Sequence, residues 1–512
     1  MDLQFEHVLI GLRTYFTLSN LTFSLIGVFV GTVVGVLPGL GAAATIALLL
    51  PFTFHMNEVS AIILLAGIWY GSMYGGSTTS ILLRIPGEGA SIMTCVDGYE
   101  MTRKGRAGAA LGIAAIGSFV AGTLSVVGLM LFAPPLAGFA LRFGPAEYFG
   151  LGVLGLSLVT RIASGSTLKA GLMAVAGLLL GTVGIDGISG TARLTFGSET
   201  LLTGLDVVPI AIGLFGIAEV FTLMQGKTVP ESLGEPPRRF WDLLPSREEW
   251  RYSIPAVFRG TLVGFFLGAI PGGSATVSGF AAYAVEKRVS RQRALFGKGA
   301  IAGVAAPESA NNSATGAGMI PLLSLGIPGN VITALMLGAL MLHGIRPGPM
   351  LVSQRPDMFW GVIVSMYMGN VMLLILNLPL IGLFTRIALV PQHILTVSIV
   401  LVSVLGAYGV NNNSGDVLLA FLFGVVGYFL RRGGFEEAPL LLAFILGPIV
   451  ETSLRQALIL SEGSFQIFWT RPIAGALLAA AVLITVSSFV PRRAGGWRER
   501  LMPFRFSRRP AL

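Results

Sequence analysis

Long apolar runs alternate with short polar segments along nearly the whole chain. A helix needs about 20 apolar residues to cross the hydrocarbon core, so these runs leave room for about 10–12 spans, including broken ones. The pattern predicts an all-α polytopic membrane protein. The longest runs lie at 21–37, 107–132, 202–221, 359–384 and 473–490.

Composition agrees with this fold class. Of the 512 residues, 54% are hydrophobic and 12% are charged, about half the roughly 25% charged residues of a soluble globular protein. The 68 glycines are typical of helices that pack closely or unwind. The first residues lack a basic segment followed by a cleavage site, so we expect no removable signal peptide.

The formal net charge of +9 does not indicate a nucleic-acid partner. The basic residues cluster in short segments at 103–106, 286–293 and 492–509, as expected for cytoplasmic loops and a cytoplasmic tail under the positive-inside rule. The single cysteine, Cys95, excludes an intramolecular disulfide.

Two apolar motifs occur twice. GTVVGVLPGLG at 31–41 is echoed by GFFLGAIPGGS at 264–274, an offset of 233, and Pro86-Gly87 is echoed by Pro328-Gly329, an offset of 242. Basic loops follow opposite motifs in the two copies, which an inverted repeat would produce. The predicted domains are a first repeat (20–225), a charged cytoplasmic linker (226–252), a second repeat (253–460), and a final helix with a basic tail (461–512).

The Pro-Gly motifs predict broken helices, because proline removes a backbone donor and glycine permits a reversed backbone. A broken helix offers free N–H groups to an anion and free carbonyls to Na⁺. Polar clusters and irregular backbone cannot face lipid, so they should line the interior. The alternative is that they only kink and pack helices. The substrate-binding candidates are Gly39, Gly41, Ser77, Thr78, Thr79, Ser80, Pro86, Gly87, Gly272, Gly273, Ser274, Asn311, Asn312, Ser313, Thr315, Pro328 and Gly329.

Three charged residues stand out within or beside apolar segments. Arg84 could hold a substrate carboxylate with two hydrogen bonds; the alternatives are that it snorkels to the interface or pairs with Glu88. Asp97 and Glu308 are candidates for binding a coupling cation or proton. Their alternative role is to cap helices or pair with loop bases.

The sequence offers little support for an enzymatic function. The chain has no GxxxxGK[ST] phosphate loop, so transport would have to be driven by an ion gradient, and the histidine spacing supports no zinc site or other cofactor. Gly187-Ile188-Ser189-Gly190 matches the GxSG pattern of intramembrane serine proteases, which makes Ser189 the basis of an alternative from another class. Within transport, the alternative is a carboxylate carrier or channel without a binding protein.

Several segments resemble the TctA family, the large membrane subunit of the tripartite tricarboxylate transporters. They are GVLPGLG, YGGSTTSILLRIPGE, the DGY of CVDGYE, AIPGG followed by YAVEKRVS, APESANNSATGAGMIPLLSLGIPGN and GIRPGP. The resemblance implies a bacterial inner-membrane symporter that imports carboxylates such as citrate with Na⁺ or H⁺ by alternating access. It also implies a small membrane subunit, TctB, and a periplasmic binding protein, TctC. The family more usually has Asn where this chain has Arg84, which puts citrate itself in doubt as the substrate.

Overall fold

The computed structural model describes residues 2–37, 39–162, 166–225, 240–387 and 390–489. Within them the chain forms 24 α-helices and one two-stranded antiparallel sheet. Pro38, Ser164, Gly165, most of the predicted linker (226–239) and the basic tail (490–512) lie outside the described residues.

The helices of the first half fall into a series of long spans and short broken segments. They are α1 (Asp2–Tyr15), α2 (Leu18–Val36), α3 (Ala42–Thr53), α4 (Glu58–Leu83), α5 (Thr94–Arg103), α6 (Ala107–Ala140), α7 (Pro145–Ile162), α8 (Thr167–Leu180), α9 (Glu199–Leu202), α10 (Val207–Ala211) and α11 (Ala218–Leu223). A 3₁₀ turn covers Gly89–Ser91, a π-helical segment covers Ile212–Ile217, and strands β1 (Gly184–Ile185) and β2 (Ala192–Arg193) form a hairpin.

The second half contains the other thirteen α-helices. Its helices are α12 (Arg247–Ala269), α13 (Ala275–Val289), α14 (Ala302–Ala317), α15 (Met319–Leu325), α16 (Val331–Leu342), α17 (Leu351–Gln354), α18 (Pro356–Asn377), α19 (Ile381–Ile387), α20 (Gln392–Asn411), α21 (Ser414–Arg432), α22 (Ala438–Leu460), α23 (Ile467–Thr470) and α24 (Pro472–Phe489). Two 3₁₀ turns, Phe240–Leu243 and Arg293–Leu295, complete the list.

The protein is an all-α polytopic membrane protein. Eight of the described helices are long and apolar enough to span a membrane, and five shorter apolar helices accompany them. Three of the shorter helices, Ala42–Thr53, Thr167–Leu180 and Val331–Leu342, have 12–14 residues, fewer than the roughly 17 residues of the shortest full crossing. The prediction of full and broken spans is therefore confirmed.

The helix breaks fall at the repeated Pro-Gly motifs. Helix α2 stops before residue 37 and α3 starts at Ala42, while α12 and α13 are separated by 270–274. Arg84 caps the C-terminus of α4, and Gly326 caps the C-terminus of α15. Both cap residues have a left-handed backbone, with φ of 59° and 70°. The breaks predicted at the repeated motifs are confirmed.

The polar run at 311–317 is not one of these breaks. It is helical, forms the second half of α14, and is buried throughout. Ser77–Ser80 likewise lie inside α4 and are buried. Both segments line the interior as predicted, but in each half the irregular backbone begins only after the polar residues.

Closely spaced glycines hold the first two long helices of each half together. A Cβ atom on any of these glycines would lie 2.2–2.5 Å from a backbone oxygen of the facing helix, so only glycine allows the observed separation. In the first half, Gly27, Gly31 and Gly35 of α2 face Leu64, Ile68 and Ser72 of α4. In the second half, Gly260, Gly264 and Gly268 of α12 face Ala306, Ala310 and Ala314 of α14.

The two glycine rows are related by the same offsets as the sequence motifs. The glycines differ by 233 positions (27 to 260) and the facing residues by 242 (64 to 306).

Helices of the two halves also pack against one another. Helix α3 packs on α16, and α13 packs on the Gly89–Ser91 turn. Helix α6 packs on α14, and α18 packs on α4. Each half therefore completes the core of the other.

Helices α4 and α14–α15 run in opposite directions where the halves meet. Ser77, late in α4, bonds to Glu308 near the start of α14. Trp69, earlier in α4, lies 3.2 Å from where a Cβ atom on Gly318 would be. The central contact between the halves is therefore antiparallel.

Replacing a central glycine of either row with alanine should destabilise the protein. In Gly31→Ala and Gly264→Ala the new methyl group would lie 2.4 Å and 2.2 Å from a backbone oxygen, so the helices must separate, at a cost of about 1–3 kcal/mol. Thermal unfolding of the purified protein in detergent measures the effect.

The matched control is Gly138→Ala in α6, where an added Cβ meets nothing within 4 Å. This change should be neutral or slightly stabilising, because alanine favours the helix. If Gly31→Ala unfolds at the same temperature as Gly138→Ala, the close-packing account of the α2–α4 contact is wrong.

Candidate functional site

A buried carboxylate lies where the halves meet. Glu308 of α14 is fully buried, and its Oε2 accepts hydrogen bonds from Ser77 of α4 (2.5 Å) and from Asn311 one turn later (3.3 Å). Its Oε1 accepts a hydrogen bond from Thr94 of α5. One acidic side chain thus joins a helix of the second half to two helices of the first.

The hydrogen-bond network continues from Glu308 along α14. Asn312 donates from Nδ2 to Ser118 Oγ of α6 (2.7 Å), and Ser125 of α6 donates to the Ser313 carbonyl (2.7 Å). Ser313 in turn donates to the Thr261 carbonyl of α12 (2.9 Å). Buried polar groups are stable in a membrane interior only when they are paired, and this network pairs them.

Other predicted polar candidates bond to the backbone of their own helix. Ser80 Oγ donates to the Gly76 carbonyl (2.8 Å) and Thr315 Oγ1 to the Asn311 carbonyl (2.9 Å). Thr79 Oγ1 also bonds to the Gly76 carbonyl, at 3.3 Å. In this conformation these three side chains satisfy helix carbonyls rather than face an open site.

A small cavity is lined by two hydrogen-bond partners of Glu308, Ser77 and Ser118. It has a volume of about 20 Å³ and is lined by the polar residues Tyr74, Ser77, Thr78, Ser118 and Asn377, together with Leu111, Ala114, Ala115 and Ile381. We call it the Glu308 cavity, because Ser77 and Ser118 both hydrogen-bond to that residue, the latter to its carbonyl at 3.4 Å. Neither Tyr74, which begins the quoted segment YGGSTTSILLRIPGE, nor Asn377 was predicted from the sequence as a site residue.

The start of α3 already holds an acidic side chain. Glu88 Oε1 accepts a hydrogen bond from the Ala42 amide (2.5 Å), and Glu88 Oε2 would lie 3.4 Å from a Cβ on Gly41. An anion at a helix N-terminus is stabilised by the free amides and the helix dipole. The sequence analysis predicted that a substrate carboxylate would bind at such a helix break. The position of Glu88 directly after Pro86-Gly87 could have indicated that this residue lies at the break.

In the second half the break motifs bond to each other. The Gly272 amide donates to the Gly329 carbonyl (2.7 Å), and Ser274 caps α13 by accepting from the Val277 amide (3.2 Å). Gly273 is tightly enclosed, since an added Cβ would lie 1.7 Å from the Leu267 oxygen. The α13 end is therefore capped by a neutral side chain, unlike the α3 end.

In the first half, Gly87 brings the two break segments together. An added Cβ on Gly87 would lie 2.0 Å from the Gly35 oxygen, so the end of α2 lies directly against this turn. A Cβ on Gly39 would lie 2.8 Å from Glu219 Oε1 of α11. Glu219 bonds to Arg431 of α21, which also bonds to Glu437. This three-residue ion cluster beside Gly39 was not anticipated from the sequence.

Arg84 lies outside the buried network. Its side chain is exposed, and its guanidinium carbon lies 5.6 Å from the centre of the Tyr99 ring. No described ion pair joins it to Glu88. Pro86 is exposed beside it, whereas Pro328 of the other half is buried. Arg84 therefore adds a positive charge at the exposed edge of the first-half break.

Asp97 anchors a loop of the other half. Its Oδ1 accepts hydrogen bonds from the amides of Gly297, Gly299 and Ala300, and its Oδ2 accepts one from Tyr283, all at 2.8 Å. Asp97 is thus fully engaged in holding the loop before α14, three residues beyond the Thr94 that contacts Glu308.

Ser189 lies in a turn, and Asn413 lies just before α21. Ser189 is exposed between β1 and β2 and donates to Asp186 Oδ2 (2.5 Å); this bond, the Ile188 amide and Arg455 lower the pKa of Asp186 below its usual value. Its described side-chain partners are Asp186 and Thr191, so no histidine or lysine is bonded to it among the described residues. Asn413 caps α21 by accepting from the Gly415 amide (2.8 Å).

The chain is similar to known sequences over nearly its full length. A family model described as "Tripartite tricarboxylate transporter TctA family" matches residues 21–442. An "Uncharacterized 52.8 kDa protein in TAR-I ttuC' 3'region" of Agrobacterium vitis is 48% identical over 491 residues, 96% of this chain and 97% of the relative. A second A. vitis protein, "in TAR-II ttuC' 3'region", is 47% identical over 228 residues, 44% of this chain and 94% of the relative. No solved structure matches the chain.

The left-handed backbone at Arg84 leads to a stability prediction. Non-glycine residues in this conformation are disfavoured by about 1–2 kcal/mol, and Gly326 occupies the matching cap with φ of 70°. The free energy of unfolding of Arg84→Gly should therefore exceed that of Arg84→Ala by about 1 kcal/mol. The glycine variant should accordingly unfold at a higher temperature. Both changes remove the contact with Tyr99, so their difference isolates the backbone, and an alanine variant as stable as the glycine variant would contradict the prediction.

Proposed function

Because the chain belongs to the tripartite tricarboxylate transporter TctA family, we propose that it imports tricarboxylate or related carboxylate anions by symport with Na⁺ or H⁺. It is the large membrane subunit in this assignment, and a binding protein delivers the anion to it. The observation that carries the proposal is the buried Glu308 network joining the two halves, next to helix breaks in both. A buried ionisable group inside a membrane protein marks an ion or substrate pathway.

The substrate anion has two classes of donor available. Free amides at the half-helix ends attract a carboxylate, and hydroxyl and amide side chains bind it reversibly. Glu88 now holds the Ala42 amide, so a substrate carboxylate reaches the start of α3 only when Glu88 moves away. At the start of α13 the cap is the neutral Ser274, which a substrate carboxylate replaces without expelling a charge.

Arg84 serves at the entrance in this proposal. Its exposed guanidinium attracts anions towards the first-half break, and a positive charge at the mouth of a cleft raises the local concentration of an anionic substrate. The matching residue in the other half is Gly326, so the added charge lies at one break only. The binding of the anion itself is assigned to the buried residues, not to Arg84.

Glu308 is the proposed coupling acid. Among the described residues it bonds only to neutral side chains through its carboxylate, whereas the oxygens of Asp97 are occupied by four donors that anchor the loop at 297–300. A group that takes up and releases an ion must exchange partners during the cycle. Glu308 meets this requirement better than Asp97 does.

Alternating access fits the arrangement of the two halves. The matched offsets of the glycine rows and the antiparallel α4–α14 contact support two homologous, inverted repeats. Such repeats can exchange conformations, so that the site opens to one side and then to the other. The ligand shifts this equilibrium only through its different affinity for the two states.

The partners and location follow from the family. We assign the protein to the bacterial inner membrane, with a small membrane subunit, TctB, and a periplasmic binding protein, TctC. The A. vitis relatives are named by their place beside ttuC', and those names state no substrate. The carboxylate and the coupling ion are therefore the first quantities to measure.

Uptake in proteoliposomes tests the proposed function. The chain and its small subunit are reconstituted, the binding protein is added outside, and a panel of radiolabelled mono-, di- and tricarboxylates is offered under imposed Na⁺ or pH gradients. We expect saturable uptake of at least one carboxylate that requires both the binding protein and a gradient. Uptake without saturation would indicate a channel, and uptake without the binding protein would indicate a simple carrier.

Three variants sharpen this test. Ser189→Ala should retain uptake, because Ser189 lies in an exposed turn. Glu308→Gln should lose gradient-driven accumulation by roughly tenfold or more, since it removes the buried charge, whereas Glu100→Gln, which alters an acid at the surface ion pair with Arg103, should not. Equal uptake by the Glu308 and Glu100 variants would contradict the assignment of Glu308.

A further inference from the structure

The Glu308 carboxylate is a buried negative charge without a described positive partner. It is 0% exposed, and none of the ion pairs in the described part of the chain includes it. Neutral donors stabilise a carboxylate, but they leave its net charge in place. A buried charge in a low-dielectric interior is costly unless a counter-charge lies beside it.

The Glu308 cavity can receive that counter-charge. Its volume of about 20 Å³ exceeds the roughly 10–15 Å³ that a single water molecule requires. A desolvated Na⁺ ion is smaller than water and fits the same space. Ser77 connects the cavity to the carboxylate, since it lines the first and bonds to the second.

The polar lining of the cavity consists of oxygen-bearing side chains. Hard cations prefer carboxylate, hydroxyl and amide oxygens, and the lining offers the hydroxyls of Tyr74, Thr78 and Ser118 and the side-chain oxygen of Asn377. The Asn377 amide nitrogen is already used, because it donates to the Leu373 carbonyl (3.0 Å). Its oxygen is the atom that remains to accept a bond or bind a cation.

Tyr74 provides a second, independent indication of a ligand. Its side chain is 4% exposed, and its hydroxyl is buried without a hydrogen-bond partner among the described residues. A buried hydroxyl without a partner is unfavourable, so its presence in a cavity joined to an unpaired carboxylate through Ser77 requires a reason. A cation bound to the tyrosine oxygen supplies a partner for the hydroxyl and a counter-charge for Glu308 together.

We propose that the Glu308 cavity is a binding site for one Na⁺ ion, held by the side-chain oxygens of Tyr74, Thr78 and Asn377. The Glu308 carboxylate, joined to the cavity through Ser77, supplies the counter-charge. This inference rests on the proposed symport function, and it selects Na⁺ rather than H⁺ as the coupling ion. The site lies between α4 and α6 of the first half and α18 of the second. Binding therefore stabilises the conformation in which these helices are close together.

The test is Na⁺-dependent thermal stability of the purified full-length chain in detergent. NaCl is titrated against KCl at constant ionic strength, without substrate and without partner subunits. We expect a saturable rise in the unfolding temperature with Na⁺ and a much weaker one with K⁺, because the smaller ion approaches the oxygen ligands and the nearby carboxylate more closely. Equal unfolding temperatures in the two salts would overturn the proposal.

Two tyrosines on α4 form a matched pair of variants. Tyr74→Phe removes only the hydroxyl that lines the cavity, and it should raise the half-saturating Na⁺ concentration roughly tenfold or more, as for loss of one bond to a charged group. Tyr70→Phe removes a buried hydroxyl one turn earlier that does not line the cavity, and it should leave the Na⁺ response unchanged. Equal responses of the two variants would overturn the assignment of the site.

A further variant separates this inference from the proposed function. Glu308→Gln, which keeps the shape of the side chain, should abolish the Na⁺ response, and a retained response would contradict the proposal. The stability assay needs no carboxylate and no binding protein. Carboxylate uptake driven by pH alone, with no Na⁺ response in the stability assay, would overturn the Na⁺ site and leave the transport function standing. A Na⁺ response without any carboxylate uptake would overturn the function instead.

Discussion

The burial of one carboxylate between two halves of a membrane protein determines what the centre of this structure must contain. An ionised group away from water needs hydrogen-bond donors and a compensating charge. The donors come from both halves: Ser77 and Thr94 from the first and Asn311 from the second. The centre can therefore form only when the halves are assembled. A substitution of Glu308 alters hydrogen bonds to α4, α5 and α14 at the same time.

Close backbone packing makes this assembly possible. The glycine rows bring α2 onto α4 and α12 onto α14, which fixes the helices that carry Ser77 and Glu308. The breaks after these helices then turn the chain inside the bundle, where exposed amides and carbonyls are protected from lipid. At α3 the free amide of Ala42 is satisfied by Glu88, and at α13 a free amide is satisfied by Ser274. The same architecture thus ends in a charged cap in one half and a neutral cap in the other.

Local chemistry made the fold and the breaks predictable. Apolar run lengths indicated the spans, and the repeated Pro-Gly motifs located the breaks, because both depend on residues adjacent in sequence. Glu308 could be selected as a buried acid for the same reason. The roles of Tyr74, Thr94 and Asn377 could not be predicted, since each depends on contacts between helices distant in the chain. Asp97 illustrates the same limit: the sequence shows an acid in an apolar region, but only the fold shows the three amides and the tyrosine that it binds.

In the proposed mechanism, cation and anion movements are coupled at Glu308. The most direct measurement is the simultaneous flux of ²²Na⁺ and a ¹⁴C-labelled transported carboxylate in the same proteoliposomes, for the native chain and for Glu308→Gln. The account predicts a fixed ratio of the two fluxes in the native chain and loss of both in the variant. Carboxylate accumulation that continues at the native rate in the variant, without any ²²Na⁺ flux, would contradict it.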